Sequence, residues 1–521
     1  MKTIIVFALQ FLFLNNLYSQ VYNIDWSTHF GGSNEDYPTS LIKDKSYMDG
    51  YFIMGTETSN DGDISGHIGA PGSLNIWIVK TDSLGNKIWD KSFGGTSGEY
   101  GCRIFQKDNG NIVFTGSTSS IDGHVSGNHV WPQNPLVGTR DFWIVEVDSN
   151  LNIIWQKCLG GTEYDEMRDA IQTFDGGYLV IGKTESNDGD VSGFHGDIDY
   201  WAVKLDSIGN IDWNVCIGSP LFDDGYSCCQ LEDSSFLLAG VSQTAFTNFH
   251  GSSDIAIAKI STSGSVIWTK SFGGSGVDQA FKVIAGLAGT FYVVGTTNSN
   301  DGDVHGAMGY NDIWILKSDL SGNIVWDKCY GGSGLDYSFN ANKTNNGGII
   351  FSGWSISNDS IYVVGNHGGY DAWVAEIDSS GNLLWGKSLG GSEDDIAKSV
   401  LKNELNSCVL VSSSLSSDGD FNINYGDKDI WLTKLNDAGS NVELTENIKF
   451  FSATILENDL IVNFYSDRKK NISIVLTDIL GREVINVSQG ANEGLNQLRI
   501  PFQNWSGLKV ITIDNQRTIL Y

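Results

Sequence analysis

The stretch WDKSFGG, Trp89 to Gly95, recurs along the chain with small changes: WSTHFGG from Trp26, WQKCLGG from Trp155, WNVCIGS from Trp213, WTKSFGG from Trp268, WDKCYGG from Trp326 and WGKSLGG from Trp385. The tryptophans are 63, 66, 58, 55, 58 and 59 residues apart, which makes seven copies of one unit. Regular self-similarity of this kind marks a repeat architecture, in which each unit needs its neighbours to bury its apolar face.

Within the third unit, RDAIQTF (168–174), YLVIGKT (178–184), DYWAVKLD (199–206) and IDWNVCIG (211–218) alternate apolar and polar residues and are rich in β-branched and aromatic side chains. They read as four strands. The short turns between them, DGG at Asp175 and SIGN at Ser207, place Gly or Asn where a hairpin needs positive φ, so consecutive strands pair antiparallel. Seven four-stranded units predict an all-β, seven-bladed β-propeller over residues 20–440, with radial closure protecting the strand edges. The ends agree with closure: the last unit stops after its third strand, DIWLTKLND from Asp429, and an unmatched strand at Asn23 to Gly32 is free to complete it.

Composition supports the same class. Sixty-two Gly against 6 Pro, with 16 Trp, 19 Tyr and 25 Phe, indicates many tight turns and many large apolar side chains to bury. A net charge of −30 disfavours nucleic acid and anionic membrane surfaces as partners and favours cations or basic surfaces. Seven Cys do not form a disulfide pattern; Cys158, Cys216 and Cys329 fall where other repeats carry Ser92, Ser271 and Ser388, which reads as a buried slot for a small residue. The regularly spaced Trp read as blade packing, not as a ligand site.

The first 19 residues combine Lys2, an apolar run from Ile4 to Leu14 and a small Ser19, the pattern of a signal peptide. The apolar run is too short to cross a bilayer, and no later segment reaches membrane length, so an exported protein with no transmembrane segment is expected. Residues 441–521 abandon the repeat and read as a small β domain. There, IVLTDILGREVI followed by GLNQLRIPFQNWSGLKVITI resembles the C-terminal sorting domain of proteins exported by the type IX secretion system. That resemblance implies an immunoglobulin-like β-sandwich and the type IX machinery as a partner. From about Tyr22 to Ser440 the chain resembles secreted bacterial seven-bladed β-propeller repeat proteins, a group too varied in function to imply one.

Strand order places the second-to-third loops and the links between blades on one face, called here the link face. Its long loops repeat SNDGD or a close variant, supplying Asp61 and Asp63, Asp188 and Asp190, Asp301 and Asp303, and Asp418 and Asp420. Oxygens at alternate positions suit Ca²⁺, and these eight residues are the candidate metal ligands. The competing reading is a turn built from good turn residues. The links contribute Asp36, Glu99, Asp165, Asp223, Asp278, Asp336 and Asp395, either as a negative ring at the channel or as caps on their own backbone. His67, His195, His250, His305 and His367 lie in the same loops and read as solvated.

Two loops break the repeat. Blade two carries GHVSGNHVWPQNPLVGTRDFW, with Trp131 and Arg140 as candidate ligand contacts, and blade six carries SISNDSIYVVGNHGG. The chain lacks nucleophile motifs, metal-ligand spacings and phosphate loops. Its propeller has only Arg103, Arg140 and Arg168, too few in sequence to suggest the arginine cluster that sialidase-type chemistry requires. The favoured expectation is a non-catalytic binding scaffold for an extracellular glycan or protein. An enzyme acting on extracellular carbohydrate, of glycoside hydrolase or lyase type, or a quinoprotein-like dehydrogenase, is the alternative.

Overall fold

The structure is a computed structural model. It describes residues 22–437 apart from 46–49, 133, 244–245, 361, 364, 404–406 and 422, together with the backbone of strands between 448 and 520. The expected signal peptide lies outside the described residues. The chain divides into two units between Asn436 and Asp437.

The first unit is a seven-bladed β-propeller of four-stranded antiparallel sheets. The third blade shows the pattern, with strands Asp165–Gln172, Tyr178–Thr184, Asp199–Leu205 and Ile211–Ile217 in that order from the axis outward. The seventh sheet contains Asp395–Asn403, Ser407–Ser414 and Asp429–Asp437, and its fourth place is taken by Tyr22–Phe30 from the start of the propeller. Ring closure is thus non-local, joining strands some 400 residues apart, as the hydrogen bond of 2.9 Å between the Ser27 and Thr433 hydroxyls illustrates.

Blades stack through the third-strand tryptophans Trp77, Trp143, Trp201, Trp314, Trp373 and Trp431, all buried. The Phe142 ring of blade two, for example, lies 4.8 Å from the Trp201 ring of blade three. The fourth-strand tryptophans dock differently. Gly209, at φ +86°, rests on Trp155 of the preceding blade, and a Cβ there would come within 2.7 Å of the ring. The turn needs Gly both for its left-handed backbone and for this close approach. Cys158, Cys216 and Cys329 are buried free thiols, and Ser92, Ser271 and Ser388 at the equivalent places are buried too, so the slot holds a small residue rather than a bridge.

The innermost strands are Asp36–Lys43, Glu99–Gln106, Asp165–Gln172, Asp223–Gln230, Asp278–Ala285, Asp336–Lys343 and Asp395–Asn403. Each breaks register with its neighbour at the same place, leaving one residue unpaired: Thr39, Cys102, Arg168, Tyr226, Phe281, Phe339 and Lys398. These are β-bulges, which twist a strand locally and redirect a side chain. No sequence motif announced them.

In the second unit, Ile448–Leu456, Asp459–Ser466 and Gly494–Pro501 form one sheet, and Glu483–Ala491, Lys470–Asp478, Lys509–Ile513 and Gln516–Leu520 form another. Side chains there, and with them the packing that an immunoglobulin-like sandwich requires, lie outside the described residues.

Candidate functional site

The acidic loops fasten each blade to its link. In the third blade, Asp188 accepts hydrogen bonds from the Thr162 backbone amide at 2.8 Å and from its hydroxyl at 2.8 Å, while the Asp190 amide donates to the Gly160 carbonyl at 2.8 Å. Asp61, Asp301 and Asp418 each accept from the equivalent link amide, of Ser33, Ser275 and Ser392, at 2.8, 2.7 and 2.8 Å. Amides of Asp63, Asp303 and Asp420 donate to Gly31, Gly273 and Gly390 at 2.9, 2.9 and 3.0 Å. Gly189 lies between its two aspartates at φ +66°, and a Cβ there would stand 2.3 Å from the Gly160 carbonyl oxygen. The motif keeps Gly between two Asp because the loop backbone must touch the link backbone.

Behind each clasp is a buried link carboxylate. Asp165 accepts from the Gly161 amide at 2.7 Å, from the Ser186 hydroxyl at 2.8 Å and from Thr184. Ser186 in turn accepts from the Glu163 amide at 3.0 Å, so the Ser of SNDGD bridges link carboxylate and link backbone. The same set recurs at Asp278, Asp336 and Asp395. The link acids are therefore caps within the blade junctions. Most loop histidines are also tied into the blades: His195 and His367 meet the buried carboxylates of Asp199 and Asp371 at 2.8 and 2.7 Å, and His67 meets Glu57 at 2.9 Å.

Among the described residues, no group of three or more His, Cys, Asp or Glu side chains is arranged to hold a metal ion. The clasp geometry predicts that the melting midpoint of the full chain is the same in millimolar Ca²⁺, in Mg²⁺ and in EDTA. A rise specific to Ca²⁺ would assign the eight loop aspartates to metal, because only a ligand of the native state raises the midpoint.

The seven bulge residues form the centre of a second, different kind of site. From blade three to blade seven they touch in sequence. The Arg168 guanidinium lies 5.2 Å from the Tyr226 ring centre, the Tyr226 and Phe281 rings are 5.4 Å apart, Phe281 and Phe339 are 6.1 Å apart, and the Lys398 ammonium stands 3.8 Å over Phe339. Equivalent positions of successive innermost strands can meet this way only around the propeller axis. The arc is wide and aromatic, with a cation at each end. Blades one and two contribute only Thr39 and Cys102, so the ring opens on that side.

Next to the arc, the residues following the bulges form a charged plug. Asp169, fully buried, accepts from Arg103 at 2.6 Å, from Lys282 at 2.7 Å and from the Ser227 hydroxyl at 2.7 Å. Burial opposes ionisation of Asp169, but the charges of Arg103 and Lys282 and their hydrogen bonds outweigh it and hold the carboxyl far below its usual range. One carboxylate between two cations leaves a surplus positive charge. Lys398 has no ion-pair partner among the described residues; burial, with the nearby charge of Lys428, brings its ammonium down to about 8.

The irregular loops reach the rim of this basin. Arg140 lies 4.4 Å over the Tyr100 ring and 5.7 Å from that of Tyr164, which is itself edge-on to Trp131 at 6.0 Å. Tyr164 thus joins the two candidate contacts that the sequence singled out. Arg168 binds Glu166 and Asp224, each at 3.0 Å, and the Nε atoms of Arg140 and Arg168 are buried with no hydrogen-bond partner. Across the basin, Tyr370 of the blade-six loop packs 4.3 Å from Trp354, which stacks on Tyr337 at 4.6 Å. All three propeller arginines therefore converge on blades two and three. Sequence reasoning missed Tyr100, Tyr164, Tyr226, Phe281, Phe339 and Lys398. For Tyr226, Phe281, Phe339 and Lys398 the signal was variability at the fourth residue of each innermost strand, Thr, Cys, Arg, Tyr, Phe, Phe and Lys, inside a frame that otherwise repeats.

The fold and its axial basin define the class, a seven-bladed β-propeller built from sequence repeats. No family model matches the chain, and no curated protein matches it. Among solved structures, a protein of unknown function from Dyadobacter fermentans is similar at 10% identity, covering 80% of this chain and 99% of its own, with a TM-score of 0.39. A polysaccharide lyase is similar at 8% identity, covering 77% of this chain and 90% of its own, with a TM-score of 0.39. A puromycin hydrolase variant is similar at 9% identity, covering 73% and 58%, with a TM-score of 0.35.

Proposed function

We propose that the protein is an exported binding scaffold whose ligand site is the axial basin on the link face, and that the ligand is an extracellular glycan. The observation that carries this reading is the division of labour within the repeat. Tryptophans, clasps and link carboxylates recur from blade to blade and hold the ring, whereas the bulge residues and the two irregular loops differ and meet at one place. Half-buried aromatic side chains beside hydrogen-bonding groups suit sugar rings, whose C–H faces are apolar and whose edges are polar.

Glycoside hydrolysis needs two carboxyl groups flanking the scissile bond. The basin's carboxylates, Glu166 and Asp224, are both bound to the same Arg168 guanidinium, and Asp224 is buried, which favours recognition over hydrolysis. The signal peptide and the sorting-type terminal domain supply the export half of the proposal. Release of the full chain from a type IX-competent cell is expected to fail without residues 441–521; equal release of the shortened chain would remove that half.

The ligand half is tested by retention of the full chain on immobilised polysaccharides, comparing wild type with Trp131→Ala and Trp354→Ala. Loss of one stacking platform is expected to cut affinity about tenfold. Retention on none of the polysaccharides, or equal retention of all three proteins, would overturn the reading.

A further inference from the structure

Four cations, Arg103, Arg168, Lys282 and Lys398, gather at the axis of a chain whose net charge is −30. Its cations are also not placed as a surface patch would place them. Arg168 and Lys398 are the residues that the same backbone irregularity leaves out of strand pairing on blades three and seven; Arg168 is bound to Glu166 and Asp224, whereas Lys398 has no ion-pair partner among the described residues. Between them, on the open side of the ring, stand only Thr39 and Cys102. Arg103 and Lys282 share the single Asp169 carboxylate and leave one charge uncompensated, and among the described residues Lys398 has only the Phe339 ring against its ammonium. A half-buried ammonium without a carboxylate is costly in the empty protein. An anion placed beside it removes that cost.

We propose that Lys398 seats the carboxylate or sulfate of an acidic saccharide, with its sugar ring against the wall of Tyr226, Phe281 and Phe339. This inference rests on the glycan-binding reading above and narrows it to one chemical class. The aromatic wall excludes a bare inorganic anion as a full match, because such an ion leaves that surface uncovered. The acidic loops elsewhere on the link face keep anions from binding off the axis, so the negative exterior and the positive centre act together to select position.

The test is equilibrium binding of the full chain to three probes: oligogalacturonate, which carries carboxylates, sulfated dextran, and neutral dextran. Either or both acidic probes are expected to bind at least about tenfold more tightly than the neutral one, and the better of the two identifies the anion. Lys398→Met is expected to reduce acidic binding at least about tenfold and to abolish the preference over neutral dextran. The variant should fold, since it removes an unpaired charge. Phe339→Leu, which keeps the charge and removes the ring, should weaken the acidic saccharides but not free sulfate. Acidic binding to the wild type should also fall as pH rises past 8, where Lys398 loses its proton. Equal binding of neutral and acidic probes, or acidic binding that survives Lys398→Met, would overturn the inference and leave the glycan reading standing. Binding of no saccharide at all would overturn both.

Discussion

Replacing Asp169 by alanine is expected to cost the propeller about 3–5 kcal/mol in a urea unfolding experiment, the usual effect of removing one partner from a buried ion pair. Three things are lost at once. Arg103 and Lys282 are left as like charges with no carboxylate between them. The Ser227 hydroxyl and the Cys228 amide, at 2.7 and 3.3 Å, lose their acceptor. The contact joining blades two, three, four and five at the axis also disappears. The effect is electrostatic, so it can be reversed: adding Arg103→Met and Lys282→Met to Asp169→Leu should recover most of the loss, since well-packed apolar groups often replace a buried ion triad at no cost. A single substitution costing less than about 1 kcal/mol would mean that the three charges are solvated and do not hold the ring.

The second large effect is on pH. Burial pushes the carboxyls of Asp165, Asp395 and Asp429 up to about 7, 6 and 6, and raises Asp36, Asp223, Asp254, Asp278, Asp312, Asp336 and Asp371 by the same cause. An acid whose folded pKa lies above its unfolded value contributes stability that is complete below the unfolded value and lost as pH rises through the folded one. Every junction therefore weakens between about pH 4 and 7. His29 and His124, lowered by burial, work in the opposite direction, and the carboxyls held below their usual range, Asp169 and Asp175 among them, have contributed their full stability by about pH 5. From pH 5 to pH 8 the first three carboxyls alone predict a loss on the order of 5 kcal/mol. The melting midpoint should be higher at pH 5 than at pH 8, and the difference should persist in high salt, which screens the surface charge but not the junctions. A midpoint that rises from pH 5 to pH 8 would contradict the account of buried link acids.

The blade count, the strand order and the closing strand were legible in the sequence because they depend on local patterns repeated seven times. Tryptophan spacing, hairpin turns and the missing fourth strand each announce themselves within a few residues. The clasps were half legible. SNDGD is visible as a motif, but its partner is the link backbone 26 residues away, and only the contact between Gly189 and the Gly160 carbonyl shows why Gly stands between the two Asp. Trp131 and Arg140 stood out as candidates because their loop breaks the repeat, and Tyr164, which lies beside both, was hidden in a link that otherwise looks ordinary. The axial arc was not legible. It depends on a bulge, a one-residue slip in pairing that leaves no composition signal, and on contacts between residues about 55 to 60 positions apart. Net charge was silent for a related reason: a total of −30 sums the whole chain and says nothing of where a few cations gather.

The most direct test of the central claim, that the basin recognises a glycan without cutting it, is prolonged incubation of the full chain with a polysaccharide it retains, followed by the polymer's size distribution. Stoichiometric binding and an unchanged chain length are expected. A progressive fall in chain length, abolished by Lys398→Met or by replacement of Tyr226 with Phe, would contradict it and make the axial basin an active site.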